Sequence, residues 1–129
     1  MNELQVIESG AMYCSMKTET MEDRVAFYNA MSAPDEQLRD HINEVLYFKD
    51  VFVEPVEVTD EETGENRSAN RIVLLDVNGV SYSTMSNGIY NSLKRVFAVF
   101  GCPTWENGLA LKVKQVNNKQ RQMLTLVAV

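Results

Sequence analysis

Asn78-Gly-Val-Ser-Tyr-Ser-Thr-Met-Ser-Asn-Gly-Ile-Tyr-Asn-Ser-Leu-Lys-Arg-Val-Phe-Ala-Val-Phe-Gly101 is the stretch whose reading decides the fold. Asn78-Gly79 stands between two apolar runs, and both residues tolerate positive φ, so the pair predicts a hairpin turn followed by a strand over Val80 to Thr84. Ser86 then offers a capping hydroxyl to a helix. Ile89, Leu93, Val96, Phe97 and Phe100 follow the i, i+4, i+7, i+8, i+11 stripe of a buried face. Asn87, Asn91, Lys94 and Arg95 occupy the other face, and Gly101 stops the helix.

Upstream, Glu44 to Thr59 is dense in Val, Tyr and Phe and predicts a long strand, bulged because the apolar parity slips near Asp50. Asp60-Glu-Glu-Thr-Gly-Glu-Asn66 is a charged turn, and Ala69 to Val77 returns as the second strand of a hairpin. Downstream, Leu109-Ala-Leu-Lys-Val-Lys114 alternates with period two, turning Leu109, Leu111 and Val113 inward and Lys112 and Lys114 outward. Asn117-Asn118 marks the next turn, and Met123 to Val129 is an apolar closing strand. The order strand, strand, strand, helix, strand, strand is that of a mainly β, five-stranded OB-like barrel with one helix between the third and fourth strands. That inference is by fold analogy, and the same order also closes into unrelated small sheets.

The chain therefore reads as a single domain, 1–129, with a barrel over 44–129 and an N-terminal strand extension over 1–43. In the extension, Ala11 to Thr18 and Arg24 to Ser32 predict a strand pair around Glu19 to Asp23. The helical alternative rests on Met21, Val25 and Tyr28, which also fit a 3.6-residue period. Ser32 ahead of Pro34 marks a short helical turn.

A length of 129 residues with 45% apolar composition suffices for one core without disulfide or metal staples. Cys14 and Cys102 lack CxxC or paired-histidine spacing and read as reduced, packed thiols. There is no apolar run of the roughly 18–20 residues that span a bilayer, and Met1 to Gly10 lacks the blocks of a signal peptide, so a soluble, intracellular chain is expected, with no membrane partner.

The net charge of -6 hides a split. Residues 1–66 hold sixteen acids against four bases, whereas residues 67–129 hold only Asp76 and Glu106 against eight bases. Screening over roughly 8–10 Å makes local charge count for more than the total, so the second half can hold a polyanion. Binding single strands needs cations along a groove and exposed rings on which bases lie. Lys112 and Lys114 leave one strand outward, Lys119 and Arg121 flank the following turn, and Arg67 and Arg71 open the second barrel strand. For any one of them, keeping a sheet soluble is the plainer role.

If the bulge near Asp50 turns Leu46, Phe48, Val51 and Val53 inward, then Tyr47, Lys49 and Phe52 face outward together; without it, Phe48 and Phe52 share a face as core. Tyr82 either stacks on a base or lies inside the barrel. Trp105 is a lid over the barrel end or a stacking platform, with indole burial the default. His41, the single histidine, has no nucleophile or base at catalytic spacing, and no phosphate loop or calcium loop occurs. The expectation is a non-enzyme without metal or cofactor. An alternative makes the acids from Glu54 to Glu65 the working surface of a DNA mimic or adaptor for a basic protein.

Thr84-Met-Ser-Asn-Gly-Ile-Tyr-Asn-Ser-Leu-Lys-Arg-Val-Phe-Ala98, Gly101-Cys-Pro-Thr-Trp-Glu106 and Leu109-Ala-Leu-Lys-Val-Lys114 resemble the single-stranded DNA-binding proteins of small Bacillus phages that replicate linear genomes by protein priming. Phe48-Lys-Asp-Val-Phe-Val-Glu54 and Glu62-Thr-Gly-Glu65 resemble them too, so the likeness covers most of 44–129 and less of the first forty residues. It implies a non-enzymatic protein that coats the strand displaced during phage DNA replication and guards it from nucleases and reannealing. Single-stranded DNA is then the partner, with replication proteins as further candidates and a monomer as the preferred state.

Overall fold

A computed structural model describes residues 13–16, 18–117 and 122–129. In chain order its elements are β1 (Tyr13–Cys14), α1 (Met21–Ser32), β2 (Glu36–Gln37), a 3₁₀ turn (Leu38–His41), β3 (Val45–Thr59), β4 (Asn66–Asp76), β5 (Ser81–Thr84), α2 (Asn87–Phe100), β6 (Leu109–Asn117) and β7 (Gln122–Ala128). The strands form one curled sheet in the order β2-β5-β4-β3-β6-β7, with β1 also on β3. All pairings are antiparallel except β2 with β5.

The strands from β3 to β7 and helix α2 lie close to where local patterning puts them. β3 is long enough to serve two neighbours along one edge, β6 at Val45 to Phe48 and β1 at Phe52 and Val53, while its other edge pairs with β4. The expected bulge is present as a register shift between Phe48 and Asp50. It restores inward parity, so Phe48 and then Val51 and Val53 all enter the core with Ile72, Leu74, Leu93 and Leu111. The extra residue is Lys49; the next one, Asp50, pairs with Leu75, is buried, and accepts hydrogen bonds from Ser15 Oγ at 2.8 Å and Thr104 Oγ1 at 2.6 Å, which tie β1 and the loop after α2 to the bulge.

Ser86 caps α2 as expected, its Oγ accepting from the Ile89 amide, and Gly101, at φ 86°, ends the helix. Phe100 departs from the expected stripe and is exposed. The Asn78-Gly79 turn is real but longer than two residues. Asp76 accepts from the amides of Asn78 and Val80, only Gly79 takes positive φ, and the strand resumes at Ser81. The turn expected at Asn117-Asn118 falls partly outside the described residues, with β6 running through Asn117.

The N-terminal extension corrects two expectations. Arg24 to Ser32 is helical, so the described residues hold two α-helices, and their sheet has seven strands. Thr20 and Asp23 form a reciprocal capping box, each side chain accepting the other's backbone amide, and this fixes a helical start that a strand reading ignores. The turn expected after Ser32 comes later, at Leu38–His41. The described part of the extension is tied to the core. Tyr13 packs its ring 5.5 Å from Phe97, and Leu38 is fully buried in the main core.

The curled sheet is not closed by a ladder between β5 and β7 among the described residues; α2 spans the gap instead. Gly88 lies directly under the Leu124 carbonyl, where any Cβ would collide with that backbone. Ser92 Oγ lies 2.8 Å from Thr125 Oγ1 and accepts from the Leu126 amide, so the helix satisfies the edge of β7.

Candidate nucleic-acid interface

Where the sheet stays open, two adjoining hollows of about 540 and 560 Å³ share Arg39, Met85, Ser86 and Leu124 in their walls. Arg67 lines the first with the opening turn of α2, and Arg71 lines the second beside Ser83. Three guanidinium-bearing side chains thus reach one cleft from β4 and from the 3₁₀ turn. Apolar walls come from Ile42, Met85, Met123 and Leu124.

The placement of Arg39 is fixed by what flanks it. Leu38 is anchored in the core, β2 pairs with β5, and Asn43, at φ 71°, turns the chain so that its amide donates to the Val113 carbonyl at 2.6 Å. Asp35 binds the Ser81 amide and hydroxyl, fastening the approach to β2. His41 seats its ring edge-on 5.0 Å from Tyr82, with Nδ1 2.9 Å from Glu44 Oε2 and Nε2 3.7 Å from Glu36 Oε1.

Electrostatically the arginines differ. Arg71 Nη1 sits 3.2 Å from Glu54 Oε1, so part of its charge is already answered. Neither Arg39 nor Arg67 forms an ion pair with a described residue, although Asp40 shares the rim of the first hollow. Both are exposed and suited to phosphate oxygens, with Gln37, Asn87 and Gln115 as polar neighbours in the same walls.

The other residues singled out from the sequence are distributed elsewhere. Lys112 and Lys114 do point outward, but from the sheet face opposite the core; Lys112 stands in a row between Val45 and Val127. Tyr47, 52% exposed, is on that outer face, and Lys49 lines a separate hollow with Asp23, Asp50 and Glu106. Phe52 does face away from the main core, as the bulge predicts, but it is not exposed. It lies under α1, 2% accessible, with Phe27 edge-on at 5.4 Å and Ala30 and Val73 beside it.

Tyr82 lies in the core inside the curled sheet, its hydroxyl donating to Asp76 Oδ2 at 3.4 Å. Burial first, then the Asp76 carboxylate, pushes its phenol pKa up, so it stays neutral. Trp105 is half-buried and edge-on to Phe97 at 5.8 Å, its Nε1 donating to the Gly101 carbonyl. It therefore seals the far end of α2, roughly 20 Å along a 14-residue helix from the cleft at the other end. Lys119 and Arg121 lie outside the described residues.

The residue that sequence reasoning missed is Arg39. It is one of four bases in the acidic half, and counting charge by halves hid it. The available signal was its place next to an apolar Leu38, which commits the turn to the core and the arginine to a rim. Gly88 was also passed over, although a glycine just inside a capped helix start marks a close backbone approach.

The three cleft arginines and the neighbouring His41, hydrogen-bonded to Glu44 and 3.7 Å from Glu36, present no nucleophile beside a base, and no group of three or more metal-ligating side chains occurs among the described residues. No helix among them is long and apolar enough to cross a membrane. The chain matches, over residues 7–128, the phi29-type family model described as phage single-stranded DNA-binding protein. No curated protein and no solved structure matched it.

Proposed function

The chain belongs to the phi29-type family of phage single-stranded DNA-binding proteins, and from that premise we propose that it coats displaced single strands during phage DNA replication, with little sequence preference and no catalytic step. The curled sheet, with α2 between β5 and β6, is read as an OB-like barrel carrying an N-terminal extension. The observation that carries the reading is the cleft, where exposed Arg39 and Arg67, with Arg71, line a continuous groove.

In this reading the strand runs along the opening between β5 and β7. Phosphates meet the guanidinium groups of Arg39 and Arg67, whose planar forks grip without reading sequence. Bases lean on Met85, Met123 and Leu124. No described aromatic ring lines the cleft, so affinity leans on phosphate contacts more than in grooves where each stacked base contributes about 1–3 kcal/mol. Tyr47, Lys112 and Lys114 would touch DNA only if the strand also crosses the outer sheet face.

Fluorescence anisotropy of a labelled short oligo-dT tests this. Wild type should bind saturably and more weakly as salt rises. Arg39→Glu with Arg67→Glu should lower affinity on the order of a hundredfold and reduce the salt slope by about two. An unchanged affinity in the folded double variant would place the strand elsewhere, and a shortened oligonucleotide on a denaturing gel would contradict the non-enzymatic reading.

A further inference from the structure

Besides Val99 and Phe100 at the end of α2, two exposed apolar surfaces stand out once the core and the cleft are accounted for. On α1, Met21, Val25 and Tyr28 are 70%, 52% and 62% exposed at i, i+4 and i+7 spacing, an apolar stripe facing away from the sheet. The opposite side of α1 is already in use, through Phe27, Ala30 and Met31 against Phe52 and Val73. The second surface is the outer face of β3, β6 and β7, where Val45, Lys112 and Val127 stand in one cross-strand row with Tyr47 and Lys114 beside it. No helix among the described residues covers that half of the sheet, although a sheet face carrying valines is the usual seat for one.

The two surfaces are opposite in charge. Glu19, Glu22 and Asp23 accompany the α1 stripe, against a single base, Arg24, whose Nε is engaged by the Thr18 carbonyl. Around Val45 and Val127 the sheet face has Lys112 and Lys114 and no acid; Asp50 and Glu54 lie farther along β3, Asp50 buried and Glu54 held by Arg71. Pairing α1 with α1 would set carboxylates together, and pairing the sheet face with itself would set ammonium groups together. Only a head-to-tail arrangement matches apolar with apolar and acid with base at every contact.

We propose that a second copy of this chain docks head to tail, its α1 stripe of Met21, Val25 and Tyr28 lying on the outer face of β3, β6 and β7 around Val45, Lys112 and Val127. Because such a contact is heterologous and does not close on itself, each copy keeps one free surface of either kind, and copies bound along a strand extend into a row. The row rests on the DNA-binding reading; the docking itself does not.

Val25→Lys and Val127→Glu each turn one surface against its mate at exposed positions outside the cleft. Binding is measured to an oligo-dT that holds one copy and to one that holds several. Wild type should bind each site of the long strand on the order of tenfold more tightly than the short one. Both variants should match wild type on the short strand and lose the gain on the long one. Mixed in equal amounts, they should form pairs and no longer rows, because each retains the surface the other lacks.

Equal affinity of wild type for both lengths, or a gain that survives in either variant, overturns the docking. Failure of wild type to bind even the short strand speaks against the DNA-binding reading instead. Sedimentation without DNA at raised protein concentration then reads the docking alone: wild type should self-associate and both variants should remain single copies, and a wild type that sediments only as single copies refutes it.

Discussion

The outer face of β3 meets two different fates within eight residues. At Val45 and Tyr47 it is open to solvent, flanked by Lys112 and Val127; at Phe52 it is sealed beneath α1. Strand, face and residue class are the same in both places. What differs is a cover supplied from some twenty-five residues upstream, so outward-facing on a strand and exposed on the molecule are separate properties. A ring is a candidate base platform only where no other element lies over it.

The strongest way to break that contrast is truncation on each side of it. Phe52→Ala should cost about 3–5 kcal/mol by chemical denaturation, since it removes a buried ring that anchors α1. Tyr47→Ala should cost under about 0.5 kcal/mol, as exposed substitutions do. Comparable losses from the two would mean that α1 does not seal Phe52.

A smaller effect separates the open half from the cleft. Lys112→Glu with Lys114→Glu should weaken a short oligo-dT only about threefold, through the general field, against the far larger loss expected from the arginine pair. Equal losses would show that one strand engages both surfaces at once.

The smallest effect is one of pH on the covered side. Cys14, paired with Phe52 across the β1 and β3 register, has its thiol pushed by burial from 9.0 to about 11. The folded pKa lies above the unfolded one, so its contribution to stability is fully present below pH 9 and is lost as pH rises towards 11; the buried Tyr82 phenol adds a loss of the same sign at high pH. Melting temperature should therefore fall across that window, and Cys14→Ala should flatten the fall slightly, since the thiol is only half-buried. A steeper decline in the variant would contradict the assignment.

The legible parts of the fold were those written locally. Period-two alternation in β6, the Ser86 cap, the Gly101 stop and the parity slip at Asp50 each act within a few residues and all reappear in the structure. Helix α1 was harder because its apolar residues lie on two sides, one for the sheet and one for solvent, which blurs a single stripe into something strand-like. The Thr20 and Asp23 pair was the readable clue. The fate of Phe52 and the convergence of Arg39 with Arg67 depend on contacts between distant segments, and no local pattern carries those. Burial of Tyr82 could be named beforehand only as one of two outcomes, because strand alternation assigns a face and leaves the curl of the sheet undetermined.

The seam between β5 and β7, bridged by Gly88 and Ser92 rather than by a backbone ladder, leaves the groove open along its flank. On the proposed reading, a single strand enters such a groove from the side, at interior positions as well as at an end, with no loose terminus to thread through.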